Sequence, residues 1–365
     1  MHKTKEPLFH IAKRVDMPWY FSWYIRAAAI VLALVCCAVI STVVTKDNPM
    51  QIFATIIDGS FGSSRKFMVL LQNTAMLLGI ALALTPAFKM RFWNICGEGQ
   101  ALIGALAAAA CMILMKNQSN LVVIIAMIIT SICAGALWGA IPAFFKAKFG
   151  TNETLFTLMM NYVATQLVAY FSVVWENPKG SGNIGVINAN SKIGWFPDLF
   201  GSKYALNILV VALLTIGIYI YLNYTKHGYE ISVVGESERT ARYVGIKVEK
   251  VIIRTMLISG AICGLAGLLL VGGTNHTLNS SIVDGRGFTA VMVSWLGKFN
   301  PIWMVLTSFL LVFLGRGAGE IATDFGLNAS FGDILSGIIL FFIIGCEFFI
   351  NYKIILTKSM KKEGK

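Results

Sequence analysis

Apolar runs of about twenty residues, the length that carries a helix across roughly 30 Å of hydrocarbon, follow one another along this chain, and the basic residues fall unevenly between them. Assigning alternate connections to opposite faces of a membrane puts 21 of the 30 Lys and Arg on one face. The remaining nine are Lys46, Arg65, Lys66, Lys116, Lys179, Lys192, Lys203, Arg286 and Arg316. Lys and Arg near span ends resist translocation, so the richer face is the cytoplasmic one. The pattern predicts an all-α polytopic membrane protein with about ten transmembrane helices and both termini in the cytoplasm.

Composition agrees. Of 365 residues, 56% are hydrophobic and only 13% charged, against about 25% charged in a soluble domain. The net charge of +12 would suit nucleic acid, but the bases sit in the connections between apolar runs, so they read as membrane orientation with no nucleic-acid partner. Residues 1–26 are polar, basic and aromatic, with no early small-residue cleavage site. They read as a cytoplasmic lead-in whose Trp19, Tyr20, Trp23 and Tyr24 suit the headgroup layer. A transmembrane domain, 27–350, and a basic cytoplasmic tail, 351–365, follow. The seven Cys lie in or beside apolar runs without a C-x-x-C pair, and the four His are scattered. Neither a disulfide framework nor a metal site is expected, and no cofactor. No connection is long enough for a solvated catalytic domain and no phosphate-loop motif occurs, so the chain is not expected to be an enzyme.

The predicted spans are Ala27–Val44, Phe67–Ala87, Gly99–Met115, Leu121–Phe145, Thr154–Trp175, Asn207–Tyr224, Val251–Gly272, Ile302–Leu314 and Ile334–Ile350. Thr45–Lys66 and Glu176–Ala205 are the long outer connections, and Lys226–Lys250 is the largest cytoplasmic loop. Phe288–Leu296 is too short for a full span. Bracketed by Gly285-Arg286-Gly287 and Gly297-Lys298-Phe299-Asn300-Pro301, it reads as a broken or re-entrant helix of the kind that lines transport sites.

Four further clusters stand out. Asn94-Ile95-Cys96-Gly97-Glu98-Gly99-Gln100 puts a carboxylate and amides at a span edge, where they are costly. It is either a polar element beside a path or an N-capped helix start. Asn161 lies deeper in its span and either binds cargo or bonds a neighbouring helix. Gly235 to Ile246 holds a short helix-compatible segment, with Glu238 and Arg242 spaced i, i+4. It reads as a solvated helix on the basic face, able to dock a partner or simply to close a loop. Small residues at Ser259, Gly260, Gly264 and Gly267 let helices approach closely.

In their order and spacing, these clusters resemble the permease subunits of ABC importers for simple sugars and nucleosides, closest to the nucleoside branch, from about Asn48 to Ile350. That family's first cluster commonly reads N-I-G-A-E-G-Q, and Cys96 and Gly97 stand at the G-A positions. Its third reads G-x-N-P-x-A-A-R-Y-x-G-I. Ala241, Arg242, Tyr243, Gly245 and Ile246 match it, while Ser237, Glu238 and Thr240 depart. The resemblance implies two inverted halves around a central path and a multi-pass location in the cell membrane. It also implies a cytoplasmic ABC ATPase that binds the ATP, a second and distinct permease, and an extracellular substrate-binding lipoprotein. By the same likeness, Gly235, Glu236, Ser237, Glu238, Arg239, Ala241, Arg242 and Gly245 form the element that couples to the ATPase. The expected activity is import of a nucleoside by alternating access, with a ribose-like sugar as the alternative cargo. Gln72, Asn73, Asn94, Glu98, Gln100 and Asn161 are the candidate path residues. The rival class, a stand-alone secondary transporter or channel, would move cargo without an ATPase.

Overall fold

A computed structural model describes residues 9–14, 18–46 and 48–356. The tail lysines beyond 356 and most of the lead-in's first seventeen residues lie outside them. The described chain runs β1 (Phe9–Lys13), α1 (Trp19–Thr45), α2 (Pro49–Phe61), α3 (Ser64–Lys89), α4 (Gly97–Leu114), α5 (Asn120–Phe149), α6 (Glu153–Val174), α7 (Ala205–Tyr224), α8 (Lys226–Glu236), α9 (Glu238–Tyr243), α10 (Val248–Leu270), α11 (Arg286–Leu296), α12 (Pro301–Asp324), α13 (Ala329–Asn351) and β2 (Tyr352–Leu356). Among the described residues, nine helices are long and apolar enough to cross a membrane. Many carry large apolar side chains outward, such as Leu121, Ile125, Leu137, Leu213 and Ile216, as lipid-facing helices must.

Two compact units divide the chain. The first comprises Met1–Lys66 and Phe313–Lys365. In it α1 runs against α13, joined by the Arg26–Glu347 ion pair at 2.6 Å, and β1 pairs antiparallel with β2. α1 starts at Trp19, eight residues before the predicted span, so the aromatic lead-in is its first two turns. The polar stretch Thr45–Lys66 contains α2, capped by the Asn48 side chain with Pro49 at its first position, the arrangement both residues favour at a helix start. Lys66 bridges Asp58 at 2.7 Å and Glu320 at 2.6 Å.

The second unit, Phe67–Val312, holds the central helices. α10 packs on α4 and α5 through small residues. A Cβ on Gly260 would collide with the Gly135 carbonyl oxygen, and one on Gly264 with that of Ser131. The backbones touch there because the side chains are missing, which is how helices gain packing in lipid. One end of this unit carries Lys89, Lys146, Lys148 and Lys226 and is termed the basic end. The other carries the long connection 175–204 and the segment 276–285, and is termed the loop end.

Two departures from regular spans shape the interior. After α3 ends at Lys89, the link 90–96 turns back inward. Gly97, the first residue of α4, lies against Leu84 and Ile80 of α3, about one and a half to two and a half turns above that helix's end. After α10, which closes in a π-helical turn over Val271–Asn275, the chain descends as the irregular segment 276–285. α11 then finishes the crossing: Trp295 near its end stacks on Trp93 of the basic-end link with centroids 5.3 Å apart. With 11 residues it covers about 16 Å, half of a hydrocarbon core. The short apolar run is therefore a half-length helix entered through an irregular, turn-rich segment.

Candidate functional site

Where α11 begins at mid-depth, its free backbone N–H groups need partners. Glu98, in the first turn of α4, supplies them. Its carboxylate accepts from Gly285 N–H at 3.0 Å and from Gly287 N–H at 2.6 Å. The positive end of the half-helix thus meets a carboxylate, and the two broken elements, the start of α4 and the start of α11, are pinned to each other. Gly287 permits this closeness, since a Cβ there would meet the Glu98 backbone.

The other polar residues around α4 satisfy its start. Asn161 accepts from Gly99 N–H and donates to the Ile95 carbonyl, both at 2.8 Å. Asn94 is fully buried; its Oδ1 accepts from Cys96 N–H at 3.0 Å, and its Nδ2 donates to Ser259 Oγ at 3.0 Å. Gln100, also fully buried, accepts from Asn94 through Oε1 at 3.4 Å, while its Nε2 has no partner among the described residues. The structure therefore gathers Asn94, Glu98, Gln100 and Asn161 into one polar knot.

Gln72 and Asn73 stand apart from that knot, on a cavity of about 390 Å³ at the loop end. Its walls come from α3 (Val69, Gln72, Asn73), from Lys203 and Tyr204 before α7, from Leu270, Thr274 and Asn275 of α10 and its π turn, and from Asn279, Ser281, Ile282, Asp284 and Arg286 around the broken crossing. Arg286 donates to Asn73 Oδ1 at 3.4 Å and lies 3.8 Å from Asp284. Gln72 is 4% exposed, and neither of its amide atoms has a partner among the described residues. The sequence marked Arg286 as part of a helix break. It gave no sign that Lys203, Tyr204 and Asn275 meet it, because long connections separate them.

The loop end is built on local caps. Glu176 accepts from Gly180 and Gly182 N–H at 2.7 and 2.9 Å, and those bonds hold its carboxyl below the usual range. His276, in the left-handed region at φ 51°, stacks face to face on Trp195 with centroids 3.8 Å apart. Its carbonyl accepts from Ile187 N–H at 2.7 Å. Burial, reinforced by Lys203, holds its imidazole below the ordinary histidine range.

At the basic end, the predicted coupling segment spans the end of α8 and all of α9. Gly235 seats α8 on the end of α3, since a Cβ there would strike the Lys89 carbonyl oxygen. Ser237 caps α9 by accepting from Thr240 N–H at 3.2 Å. Ala241 is fully buried, whereas Glu236, Glu238, Arg239, Arg242 and Gly245 are exposed. Arg242 pairs with Glu249 at 3.1 Å and lies 3.8 Å from Glu238. Tyr243 is 92% exposed, so an aromatic side chain stands free at the tip. Arg254, in the second turn of α10, pairs with Glu230 at 2.8 Å.

The described residues contain no group of three or more His, Cys, Asp or Glu placed to hold a metal ion.

Residues 67–344 match the family described as branched-chain amino acid transport system / permease component. The chain belongs to that family. It is a multi-pass cell-membrane protein and the permease subunit of an ABC importer. Among its relatives, the guanosine ABC transporter permease protein NupP of Bacillus subtilis is 30% identical over 86% of this chain and 89% of its own length. The glucose ABC transporter permease protein TsgB13 of Haloferax volcanii is 25% identical over 89% of this chain and 88% of its own. A second B. subtilis relative, the guanosine ABC transporter permease protein NupQ, is 26% identical over 57% of this chain and 67% of its own length.

Proposed function

We propose that this chain is one of two distinct permeases in an ATP-driven importer of nucleosides. A cytoplasmic ABC ATPase binds and hydrolyses the ATP, and an extracellular lipoprotein delivers the cargo to the loop end. Two guanosine permease relatives in one organism favour a pair of unlike permeases. This chain supplies path and levers and carries out no bond chemistry. Its basic end faces the cytoplasm, and α9 enters the ATPase.

The observation that carries an uncharged cargo is Glu98. An anionic cargo would seek the N-terminal end of the broken helix, but the Glu98 carboxylate already takes the Gly285 and Gly287 N–H groups. The nucleoside reading over a sugar draws on the guanosine relative; the glucose relative keeps a sugar as the second reading. A free aromatic, Tyr243, beside a ring of charged residues on a capped helix supports α9 as the docking element, because aromatic anchors concentrate interface energy.

Reconstitution tests both parts. In liposomes holding this chain, its partner permease and the ATPase, ATP should drive uptake of lipoprotein-delivered guanosine, and excess glucose should not compete. A cysteine at Ser237 or Arg239 should crosslink to the ATPase. Glucose uptake without guanosine uptake would replace the cargo, and failure to crosslink from both positions in an intact assembly would remove α9 from its role.

A further inference from the structure

The loop-end cavity has a feature that a merely structural hollow would not keep. Gln72 stands on the cavity wall with both its amide oxygen and its amide nitrogen buried and without a partner among the described residues, so a turn of the side chain toward the cavity is what would present them to a ligand. An unmet buried amide is costly, and such groups in native structures call for an explanation. Arg286 lies on the same wall. Its hydrogen bond to Asn73, at 3.4 Å, uses one nitrogen of a five-donor fork. Its nearest carboxylate is the largely exposed Asp284 at 3.8 Å, since Glu98 is committed to the Gly285 and Gly287 N–H groups.

We propose that this cavity is a binding station for the cargo and that it takes a 6-oxopurine ring, read by the Gln72 amide and the Arg286 guanidinium. This rests on the nucleoside reading above and specifies it. A planar guanidinium matches paired coplanar acceptors, and the N7/O6 edge of guanine is the pairing that Arg makes most often with a base. The adjoining edge presents O6 as acceptor and N1–H as donor, which complement the donor and acceptor of an amide. Adenine sets an amino donor where O6 stands and would face the Arg fork with like polarity. A hexose has no coplanar acceptor pair. The Tyr204 ring on the cavity wall offers a face for the base. At about 390 Å³ the space lies at the small end of ligand pockets, about 300–1,000 Å³, in keeping with a single nucleoside.

The test is a cycle of variants against analogues in liposomes holding the full assembly and its lipoprotein. kcat/KM is read for guanosine, inosine, 7-deazaguanosine and adenosine, with glucose as control. Comparing each variant with wild type for the same analogue cancels the lipoprotein's own preference. Arg286→Lys should lower kcat/KM for guanosine and inosine roughly 5- to 150-fold, the range of one bidentate base contact. It should lower that for 7-deazaguanosine, which lacks N7, by less than about threefold. Gln72→Leu should weaken all 6-oxopurines by about tenfold and narrow their advantage over adenosine; Gln72→Asn, shorter by one methylene, decides the matter if Arg286→Lys does not assemble. Variants that lower all nucleosides by one common factor, or that change nothing, would overturn the assignment while leaving the nucleoside function standing. Wild-type assembly that moves glucose and no nucleoside would overturn both.

Discussion

Replacing Glu98 probes the pin between the two broken elements. The carboxylate accepts two backbone N–H bonds, at 3.0 and 2.6 Å. Hydrogen bonds to a charged group contribute about 1.5–3 kcal/mol each, so Glu98→Ala forfeits roughly 3–6 kcal/mol of attraction. Against this, removing a carboxylate that is 8% exposed also removes its own desolvation cost, which offsets part of the loss. The net destabilisation expected is about 2–4 kcal/mol. Glu98→Gln keeps one acceptor but turns an amino group toward the other N–H and loses the charge at the helix N-terminus. Its expected cost is about 1–3 kcal/mol. Thermal unfolding of the purified assembly should rank wild type above Gln above Ala. ATP-driven uptake should fall in the same order, because Asp284 and Arg286 of the cavity wall flank the pinned glycines. If both variants stay within about 0.5 kcal/mol of wild type, the scale of an ordinary surface substitution, and transport normally, the pin has no mechanical role.

Asn161→Ala breaks the two 2.8 Å bonds to Gly99 and Ile95 and leaves buried backbone groups unmet. A loss of about 2–4 kcal/mol is expected in the same unfolding assay. Gly264→Ala drives a methyl into the Ser131 carbonyl oxygen, so overpacking of about 1–3 kcal/mol or more should cut the yield of assembled protein, measured by size-exclusion chromatography. His276 sits below its ordinary range because burial disfavours its charged form. Its contribution is therefore present above the unfolded histidine pKa and is lost as pH falls toward the folded one. Acidification from about pH 7.5 to 5 should raise hydrogen exchange across 183–196. In His276→Asn, a residue at home in the left-handed region, that response should flatten.

The sequence read the regular spans well because each is long and uninterrupted: α5, α6 and α7 begin and end within a few residues of their apolar runs. It stopped one helix too early. The span expected to end at Leu314 continues as α12 to Asp324, since Arg316 donates to the Gly59 carbonyl at 3.3 Å and Glu320 pairs with Lys66. Polar residues that look like a water-facing end are instead met by α2 and the first turn of α3, both hidden in a stretch read as a polar connection. Likewise, half of Lys226–Lys250 is α8, capped by Thr225. The broken crossing was legible from its glycines and Pro301. The division among the polar candidates was not. Whether Asn161 or Glu98 faces a path or a backbone depends on partners 62 and 187 positions away, and local pattern carries no information over that span. Gln72 and Asn73 read the same as their neighbours until the chain closes a cavity around them.

The central claim is that the cargo cavity opens outside the cell and α9 opens inside. Single cysteines at Asn279, on the cavity, and at Ser237, at the start of α9, report on it through a membrane-impermeant maleimide applied to intact cells. The account predicts labelling at Asn279→Cys, and at Ser237→Cys only after permeabilisation. Labelling of Ser237→Cys in intact cells, with Asn279→Cys protected, would invert the topology and contradict the account.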